Sequence, residues 1–469
     1  MQAFTENKED LSELFLRQNT NKQFVKLGDA AARREKLRRL KSSIEFYEEA
    51  IYQALHSDLR KNRMEAALSE IQFIYSEIDF TLKNLARWMR PKKVAANRSN
   101  FLTKNRVVYE PKGLTLIMAP WNYPFQLLMS PLISAIAAGN CAILKPSEFA
   151  PATSAVMANL IGDTFQPEEI ALIEGDAETA QTLLELPFDH IFYTGSTETG
   201  KKVMRAAAEH LASVTLELGG KSPVIIHSSA DLKKTARKIA WGKWMNAGQT
   251  CIAPDYVFVH ESQRDILISE IGKAVKKMYG DPLNTEDYGR MVNRHHFYRV
   301  RNLLDDATEQ GAEVVSGGRC DPDTLTIEPT ILVGLDHSMQ IMEEEIFGPV
   351  LPVLTYRSLS EITTYLQARP KPLAMYIFTR NLLVADELIA RTSAGGTCVN
   401  DVVIQCTNPN LPFGGVNSSG TGSSHGHYGF KAFSHERAVM YQAGFDLNGF
   451  AYPPYSGKEN QLNWLKKLL

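Results

Sequence analysis

The chain has 469 residues, which exceeds the roughly 250 to 300 residues at which one hydrophobic core stops growing, so two or more domains are expected. Its 44% hydrophobic and 22% charged residues are typical of compact domains and exclude a collagen-like or disordered chain. A formal net charge of −2 provides no global field for nucleic acid or anionic lipid. We therefore expect no nucleic-acid partner, and any charged ligand must be held locally.

The cysteines and the chain ends indicate a cytoplasmic protein. Five cysteines, an odd number without a CxxC pair, predict neither a disulfide framework nor a cysteine zinc site: Cys141, Cys251, Cys320, Cys398 and Cys406. The polar start MQAFTENKED does not resemble a signal peptide. The longest apolar region, 127–144, contains Pro131 and Gly139 and reads as a helix followed by a strand, so we expect no membrane span.

The first 90 residues are helical by the spacing of their apolar side chains. Apolar residues recur every three or four positions over 37–55 and again over 68–85, which predicts two long amphipathic helices. A basic cluster over 33–41 interleaves with the first of them, and we interpret it as a solvated helix face. The polar, basic stretch 90–106 is too poor in apolar residues for a core element and predicts an arm or an edge hairpin.

From Gly113 onwards, short apolar runs alternate with helical segments. The predicted strands are LTLIM (114–118), CAILK (141–145), IALIE (170–174), HIFYT (190–194) and VTLEL (214–218), and the predicted helices lie near 125–138, 151–162, 176–185 and 200–211. This alternation predicts a parallel sheet with helices on both faces, which binds nucleotides at the carboxyl ends of its strands. A second alternating region begins at PVIIH (223–227) and reaches about residue 400, long enough for its own domain.

The loop from Gly195 to Lys202, GSTETGKK, follows a strand and opens a helix, so its backbone amides could hold a phosphate. A Walker A loop needs Ser or Thr after its lysine to hold Mg²⁺, and this chain has Lys202 at that position, which disfavours a nucleoside triphosphatase. The chain also lacks a GxGxxG fingerprint. A purely structural turn stays open as an interpretation of this loop.

Three further residues are candidates for chemistry, and each has a plain structural alternative. Cys251 follows the small-residue turn NAGQT and is either an accessible nucleophile or an inert core thiol. Glu217 ends a strand before Gly219 and Gly220, and is either a delivered carboxylate or a solvated strand end. Asn122 lies in PWNYP, where it is either a fixed hydrogen-bond donor or a turn residue. None of the three decides the function alone.

Seven motifs taken together resemble the aldehyde dehydrogenase superfamily. They are PWNYP (120–124), KPSE (145–148), TGS (194–196), ELGGKSP (217–223), GQTC (248–251), EEIFGP (344–349) and LPFGG (411–415), in the family's order, within a resemblance that spans about 10–455. The short N-terminus and the tail 418–437 look most like the class 3 and fatty aldehyde dehydrogenase branch. This chain ends at NWLKKLL, where membrane-anchored members of that branch continue into a span.

The resemblance implies oxidation of an aliphatic or aromatic aldehyde to its carboxylic acid, with NAD, or alternatively NADP, as cofactor. Cys251 would be the nucleophile that forms a thiohemiacetal and then a thioester. The Asn122 amide and the backbone N–H of Cys251 would form the oxyanion hole, and Glu217 would be the general base. Residues matched to cofactor contacts are Lys145, Glu148, Gly195, Ser196, Leu218, Glu345 and Phe347.

An apolar substrate pocket is the interpretation for Tyr123, Trp241, Met245 and Phe413, with core packing as the open alternative. No metal site is expected, because His295, His296, His425 and His427 lack accompanying carboxylates or cysteines in a ligand pattern. Two functional alternatives stay open. An acylating relative would pass the acyl group to coenzyme A or phosphate, although such relatives typically lack the glutamate that Glu217 matches, and a silent binding protein would keep only the fold.

The family's architecture implies an aldehyde dehydrogenase-like α/β fold. It consists of a Rossmann-like parallel-sheet cofactor domain (1–88 and 112–217), an α/β catalytic domain (218–400), a small β oligomerisation arm (89–111 with a strand near 401–422) and a C-terminal segment (423–469). An arm that adds an edge strand to a partner's sheet predicts a homodimer.

Overall fold

A computed structural model describes residues 8–97, 100, 102–442, 444, 449 and 452–458. The remaining parts of the predicted arm and C-terminal segment, including the terminal NWLKKLL, lie outside the described residues. The first 90 residues form α1 (Lys8–Lys26), α2 (Ala30–Leu59), the single turn α3 (Arg63–Ala66), a π-helical turn (Ala67–Ile71) and α4 (Gln72–Trp88). The predicted helices correspond to α2 and α4, whereas α1 was not predicted.

The region predicted to form the first parallel sheet does so. After the hairpin strands β1 (Lys92–Val94) and β2 (Lys104–Pro111) come β3 (Leu114–Met118), α5 (Gln126–Ala138), β4 (Cys141–Lys145), α6 (Pro151–Thr164), β5 (Ile170–Leu172), α7 (Ala177–Leu184), β6 (His190–Thr194), α8 (Thr197–Glu209) and β7 (Ser213–Glu217). The predicted strands agree with β3 to β7 within two residues. Their side chains are almost all buried because helices cover both faces of the sheet.

The second alternating region forms its own sheet. It contains β8 (Pro223–Ile226), α9 (Leu232–Trp244), β9 (Tyr256–His260), α10 (Arg264–Tyr279), α11 (Arg294–Glu309), β10 (Glu313–Ser316), β11 (Cys320–Asp321), β12 (Thr326–Ile327), β13 (Thr330–Val333), α12 (Gln340–Glu343), β14 (Val350–Tyr356), α13 (Leu359–Gln367), β15 (Ala374–Phe378), α14 (Leu382–Arg391) and β16 (Gly396–Val399). The chain then returns to the first part of the molecule through β17 (Gly420–Thr421), α15 (Gly426–Ala432) and β18 (Ser434–Tyr441).

Two mainly parallel sheets therefore organise the described part of the chain. The first has the strand order β17-β7-β6-β3-β4-β5 and the second has the order β10-β13-β14-β9-β8-β15-β16, with only the edge strands β17 and β10 antiparallel. In the first sheet, the chain moves from β3 outwards to β5 and then returns to the other side of β3 with β6. This reversal opens a crevice between the carboxyl ends of β3 and β6, the place where such sheets bind ligands.

The arm differs from its prediction in one strand. The hairpin over 90–106 exists as β1 and β2, which pair antiparallel, but the third strand is β18, which pairs with β2 from Ser434↔Pro111 to Tyr441↔Lys104. The expected arm strand near 401–422 is wrong, since β17 pairs with β7 in the first sheet instead. The small, glycine-rich sequence of that segment suits its close approach to β7, because a Cβ at Gly420 would meet the carbonyl oxygen of Leu216.

The basic cluster 33–41 is only partly a solvated face. Arg33 is buried and donates to the carbonyl oxygens of Ala137 (3.0 Å) and Ala138 (2.6 Å) at the end of α5, where a positive charge complements the helix dipole. Lys36 forms an ion pair with Glu169 (2.8 Å). These two cations thus attach α2 to the first sheet. Among the described residues, no helix combines the length and apolar character needed to cross a bilayer.

Candidate active site

Cys251 follows a tight left-handed turn at the end of α9. Asn246 and Ala247 both adopt φ 52°, and Gly248 adopts φ 78°, so the helix cannot continue. A Cβ at Gly248 would collide with the carbonyl of Gly348, which makes glycine necessary there. A left-handed alanine is costly and is kept only where the surroundings enforce it, as at many functional sites. The turn directs Cys251 into a cleft between the two sheets.

The loop before Cys251 is fixed by the side chain of Gln249, which is fully buried. Its amide nitrogen donates to the carbonyl oxygens of Asn246 (3.0 Å) and Arg290 (2.9 Å), and its amide oxygen accepts from the backbone N–H of Val292 (3.0 Å). This side chain therefore closes the loop on itself and ties it to the segment 290–292, so the thiol is presented by a rigid segment.

Asn122 lies after β3, at the crevice between β3 and β6. The residue is buried, and its side-chain nitrogen donates to the carbonyl oxygen of Gln249 (3.0 Å), two residues before Cys251. An amide nitrogen carries two hydrogens, so this bond leaves one N–H for another acceptor. The Asn122 side chain thus links the end of β3 to the cysteine loop while keeping a donor at the cleft.

Glu217 ends β7 and its side chain is buried. One carboxyl oxygen accepts from the Ser424 hydroxyl (3.0 Å), and the other has no hydrogen-bond partner. Burial raises the pKa of Glu217 to about 8, and the Ser424 bond opposes that rise by stabilising the charged form. With such a pKa the group is mainly protonated at pH 7, and the ionised fraction increases as the pH rises.

The thiol of Cys251 is not activated by its surroundings in the protein alone. Burial raises its pKa well above the usual range, and the nearby Glu345 and Glu217 carboxylates raise it further because they repel a thiolate. A reaction that needs the thiolate therefore requires a bound positive charge or a proton acceptor.

The cleft has a volume of about 700 Å³, within the range of ligand pockets. It brings together eight of the predicted site residues: Asn122, Gly195, Ser196, Glu217, Leu218, Cys251, Glu345 and Phe347. Gly195 donates its N–H to the carbonyl oxygen of Glu217 (3.0 Å), which joins the ends of β6 and β7. Ser196 caps α8 by accepting the N–H of Thr199, so the positive end of this helix dipole faces the cleft.

These residues fit a dinucleotide. The start of α8 offers a phosphate its backbone amides, and the Glu345 carboxyl can accept hydrogen bonds from ribose hydroxyls. Glu345 lies directly against the backbone of Gly219, where any Cβ would overlap its carboxyl group. Phe347 adopts φ 45° and its ring meets Trp121 edge-on at 5.4 Å between centroids, which completes an aromatic wall of the cleft.

Lys145 and Glu148 are the predicted cofactor residues that do not line this cleft. Lys145 ends β4, is buried, and donates to the carbonyl oxygen of Pro146 (2.8 Å), with the exposed Glu148 carboxylate 3.9 Å away. Because β4 is the neighbour of β3, both residues still lie at the ligand-binding edge of the first sheet. Their contact with a cofactor stays a prediction.

The predicted substrate-pocket residues differ in burial and in the groups they pack against. Tyr123 is buried with its hydroxyl 2.6 Å from that of Thr250, whereas Met245 and Phe413 pack, like Cys251, against one hydrophobic cluster of the second sheet. Trp241 is 39% exposed on α9. Phe413 stacks on His425 with 4.9 Å between ring centroids.

Sequence reasoning missed Ser424 and a second, smaller cavity. That cavity, of about 170 Å³, is lined by Leu68, Gln72, Phe73, Ser76, Glu77, Cys406, Thr407, Pro409 and His425. Its residues come from two segments more than 300 positions apart, so no local pattern could reveal it. Among the described residues, no group of three or more potential metal ligands forms.

Two parallel sheets that share a cleft, with a thiol, a carboxyl group and a helix start at the switch point, define a nucleotide-binding α/β enzyme. The sequence model described as "Aldehyde dehydrogenase family" matches residues 7–439, and the chain belongs to this family. It is an oxidoreductase that uses NAD(P) to oxidise an aldehyde to a carboxylic acid. The Gly195–Lys202 loop is accordingly not a Walker A loop.

The chain is similar to class 3 members of the family, as its motifs predicted. It is 42% identical over 435 residues to "Aldehyde dehydrogenase family 3 member H1" of Arabidopsis thaliana, with 92% of this chain and 89% of the relative covered. It is 42% identical over 427 residues to "Aldehyde dehydrogenase, dimeric NADP-preferring" of Mus musculus, covering 90% and 93%. The structure described as "Substrate bound state of Staphylococcus Aureus AldH" superimposes with a TM-score of 0.93 at 43% identity, covering 97% and 99%.

Proposed function

We propose that Cys251, Glu217 and Asn122 perform the aldehyde oxidation of this enzyme. The observation that carries the proposal is their convergence in one cleft from three separate elements, the turn after α9, the end of β7 and the loop after β3. A thiol supplies the nucleophile, an amide supplies a neutral donor, and a buried carboxyl supplies a proton acceptor. Each of these groups performs a different part of acyl chemistry.

In the first half of the reaction, the Cys251 sulfur adds to the aldehyde carbon and forms a thiohemiacetal. Negative charge develops on the former carbonyl oxygen, and the free N–H of the Asn122 amide with the backbone N–H of Cys251 would stabilise it. Because its pKa is raised, the thiol needs a proton acceptor, and the ionised Glu217 carboxylate would take the thiol proton as the carbon–sulfur bond forms. A bound NAD(P) would supply the hydride acceptor, so that loss of hydride from the thiohemiacetal carbon leaves a thioester on Cys251.

In the second half, water hydrolyses the thioester and releases the acid. Glu217 would take a proton from that water, and the unpartnered carboxyl oxygen is the atom available for this contact. The bond from Ser424 holds the other oxygen, so the carboxyl group is oriented without being fully satisfied. This arrangement favours a hydrolytic enzyme over an acylating one.

For the cofactor we propose three groups of residues. Lys145 and Glu148 would contact the adenosine ribose, while Gly195, Ser196 and Leu218 would lie at the pyrophosphate. Glu345 and Phe347 would hold the nicotinamide end, a role supported by their position with Cys251 in the same cleft. NAD is the preferred cofactor in this proposal, because the Glu148 carboxylate accepts bonds from a 2′-hydroxyl and repels a 2′-phosphate.

Tyr123, Met245 and Phe413 would form the apolar side of the aldehyde site, and Trp241 its outer rim. The second cavity, which His425 and Cys406 line beyond Phe413, supports an approach of the aldehyde from the side opposite the cofactor. Five free thiols are in keeping with a cytoplasmic enzyme.

The proposed domains are a cofactor domain (1–88 and 112–217), a catalytic domain (218–400) and an arm. The change of sheet between β7 and β8 supports the first boundary. The arm consists of 89–111 and β18, and it supports a homodimer, since the outer edges of β1 and β18 have no partner strand among the described residues. The murine relative described above is named as a dimeric enzyme. Light scattering at micromolar concentration should give twice the 52.4 kDa chain mass, and a monomer would contradict this assembly.

The function itself is tested by NADH or NADPH formation with a panel of aliphatic and aromatic aldehydes, with and without coenzyme A. The expected result is reduced cofactor and free carboxylic acid in equal amounts, independent of coenzyme A. Acyl-coenzyme A as product would support the acylating alternative. Absence of turnover with every aldehyde, together with cofactor binding, would support a silent binding protein.

A further inference from the structure

A fully buried ion pair lies beneath the loop that carries Asn122. The Lys61 ammonium is 2.6 Å from the Glu70 carboxylate, and both side chains have no exposed surface. Lys61 follows the left-handed cap at Arg60 that ends α2, and Glu70 lies in the π-helical turn between α3 and α4. Such π turns are rare and occur frequently at functional sites. Neither residue lies in any of the seven sequence motifs.

Both members of the pair use their remaining bonds on the Asn122 loop. Lys61 donates to the backbone carbonyl oxygen of Asn122 (3.1 Å), and its ammonium lies 4.1 Å from the centre of the Tyr123 ring. Glu70 accepts with its second oxygen from the N–H groups of Phe125 (3.1 Å) and Gln126 (2.9 Å), at the start of α5. The pair therefore holds the loop at both ends.

A third side chain holds the same carbonyl group from the opposite direction. The amide nitrogen of Asn246 donates to the carbonyl oxygen of Asn122 (2.8 Å) and to that of Gln249 (3.2 Å). Asn246 belongs to the left-handed turn before Cys251. The backbone of Asn122 is thus fixed by Lys61 from the helical side and by Asn246 from the cysteine side, and its side chain is fixed by Gln249.

Stability alone is a weak reason for such an arrangement. Removing two charges from water costs several kcal/mol per ion, and replacing a buried ion pair by apolar residues is often neutral or stabilising. Position is a stronger reason, because a displacement of about 1 Å at a reacting centre can reduce a rate about 100-fold. The groups that the pair holds are those that orient the Asn122 amide at the cleft.

We propose that Lys61 and Glu70 are positioning residues, which act on catalysis by holding the Asn122 loop so that its side-chain amide stabilises the oxyanion. The inference rests on the proposed role of Asn122. Neither side chain of the pair lines the cleft. We expect its effect on the reaction to pass through Asn122 rather than through the Tyr123 ring that Lys61 also contacts, which distinguishes it from a pair that only stabilises the fold.

A double-mutant cycle tests this dependence. The pair is replaced as a unit, Lys61→Met with Glu70→Gln, so that no buried charge is left unpaired. The measured quantity is the single-turnover rate of NADH formation at saturating NAD with a reactive aldehyde such as benzaldehyde. We expect the paired replacement to lower the rate about 10- to 100-fold in an otherwise native enzyme. In an Asn122→Ala background it should change the rate by about 2-fold or less.

Equal reductions in both backgrounds would overturn the proposal, because the pair would then act independently of Asn122. A native rate in the paired replacement would overturn it as well. Asn122→Ala alone tests the underlying role: if that variant keeps the native rate, the proposed function of Asn122 fails, which is a separate result. Cofactor affinity, measured by NAD titration of each variant, should remain unchanged.

Two further variants guard against misfolding and general destabilisation. Asn246→Gly removes the other donor to the Asn122 carbonyl without touching a charge, and glycine accepts the φ of 52° at this position. It should show the same dependence on Asn122, and equal rate losses in both backgrounds would contradict the proposal even if the paired replacement does not fold. Asp58→Asn is the matched control, since buried Asp58 caps α6 through the N–H of Thr153 (2.8 Å). It should lower the melting temperature and leave the rate within about 2-fold.

Discussion

Two buried carboxylates, Glu70 and Glu217, differ in how completely their hydrogen-bonding capacity is used. Glu70 has an ammonium on one oxygen and two backbone N–H groups on the other. Glu217 has one hydroxyl on one oxygen and no partner on the other, and burial raises its pKa to about 8. A buried carboxylate whose oxygens are all hydrogen-bonded is fixed in position, whereas one with a free oxygen has an atom that can accept a proton. The comparison separates the group that we propose to orient the site from the group that we propose to react in it.

The largest effect is expected from removing the thiol of Cys251, which lines the same cleft as Glu217. Cys251→Ala deletes the only atom proposed to bond to the aldehyde, so neither NADH formation nor an acyl-enzyme should exceed background. The measurement is a stopped-flow record of NADH absorbance together with intact-protein mass. NAD binding serves as the control for folding. Turnover that survives in this variant would show that Cys251 is not the nucleophile.

Glu217→Gln should separate the two halves of the reaction. Glutamine keeps the shape and loses the base, so a rapid burst of NADH approaching one equivalent per site should precede a steady state about 100- to 10,000-fold slower. Intact-protein mass should show the added acyl group.

Two other outcomes for Glu217→Gln are informative. A slow burst that recovers partly at higher pH would mean that Glu217 chiefly deprotonates Cys251. Wild-type turnover would exclude Glu217 from catalysis, and acceleration by coenzyme A would then favour the acylating alternative.

Ser424→Ala should increase the difference in hydrogen bonding between Glu217 and Glu70, because it removes the hydroxyl that donates to the Glu217 carboxylate. The hydroxyl stabilises the carboxylate, so its loss should raise the pKa of Glu217 beyond about 8. A hydrogen bond to a charged group contributes about 1.5 to 3 kcal/mol and one pKa unit corresponds to about 1.4 kcal/mol, so a shift of about one to two units is expected.

The sign of the effect follows from the active form. The proposed base is active as a carboxylate, so thioester hydrolysis in Ser424→Ala should be slower than in the native enzyme at neutral pH. Its rate should recover at higher pH, which means that the rising limb of its pH profile lies at higher pH than that of the native enzyme. The measurement is the pH dependence of kcat, with Ser423→Ala as the neighbouring control. An unchanged profile would show that the Ser424 bond does not tune the base.

The smallest effect is expected at the exposed carboxylate Glu148, which water screens. The native enzyme should have a higher kcat/KM with NAD than with NADP. Glu148→Gln should raise kcat/KM for NADP and lower that for NAD modestly, because the repulsion of a 2′-phosphate disappears. Glu178→Gln, an exposed carboxylate in the first turn of α7, is the control. A native preference for NADP would refute the proposed role of Glu148.

Prediction from sequence succeeded where local pattern dictates structure. The strands β3 to β7 were predicted because a strand buried on both faces is a short, nearly continuous apolar run, and helices with an apolar stripe intervene. The positions of Asn122, Glu217 and Cys251 after predicted elements followed from the same pattern and from the family motifs. The sequence also predicted the hairpin of β1 and β2, because its polar residues exclude a core element.

The failures concern residues whose partners are distant in the chain. The third arm strand was assigned to 401–422, although β18 pairs with β2, because the sequence of an exposed edge strand such as β18 does not specify its partner or register. Arg33 was interpreted as solvated, and only the packing of α2 on α5 shows that its guanidinium satisfies carbonyl groups at a helix end.

The sequence by itself determined the order of elements, the family and the identities of the thiol, amide and carboxyl group, since these depend on periodicity and on motifs within a few residues. Only the tertiary structure decided how each group is held. Ser424 reaches Glu217 across 207 positions, and Lys61 reaches Asn122 across 61. A buried polar group must find its partners within about 3 Å whatever their distance along the chain. The pairing of such groups is therefore a property of the folded chain, and it distinguishes the carboxylate that holds this site from the one that can react in it.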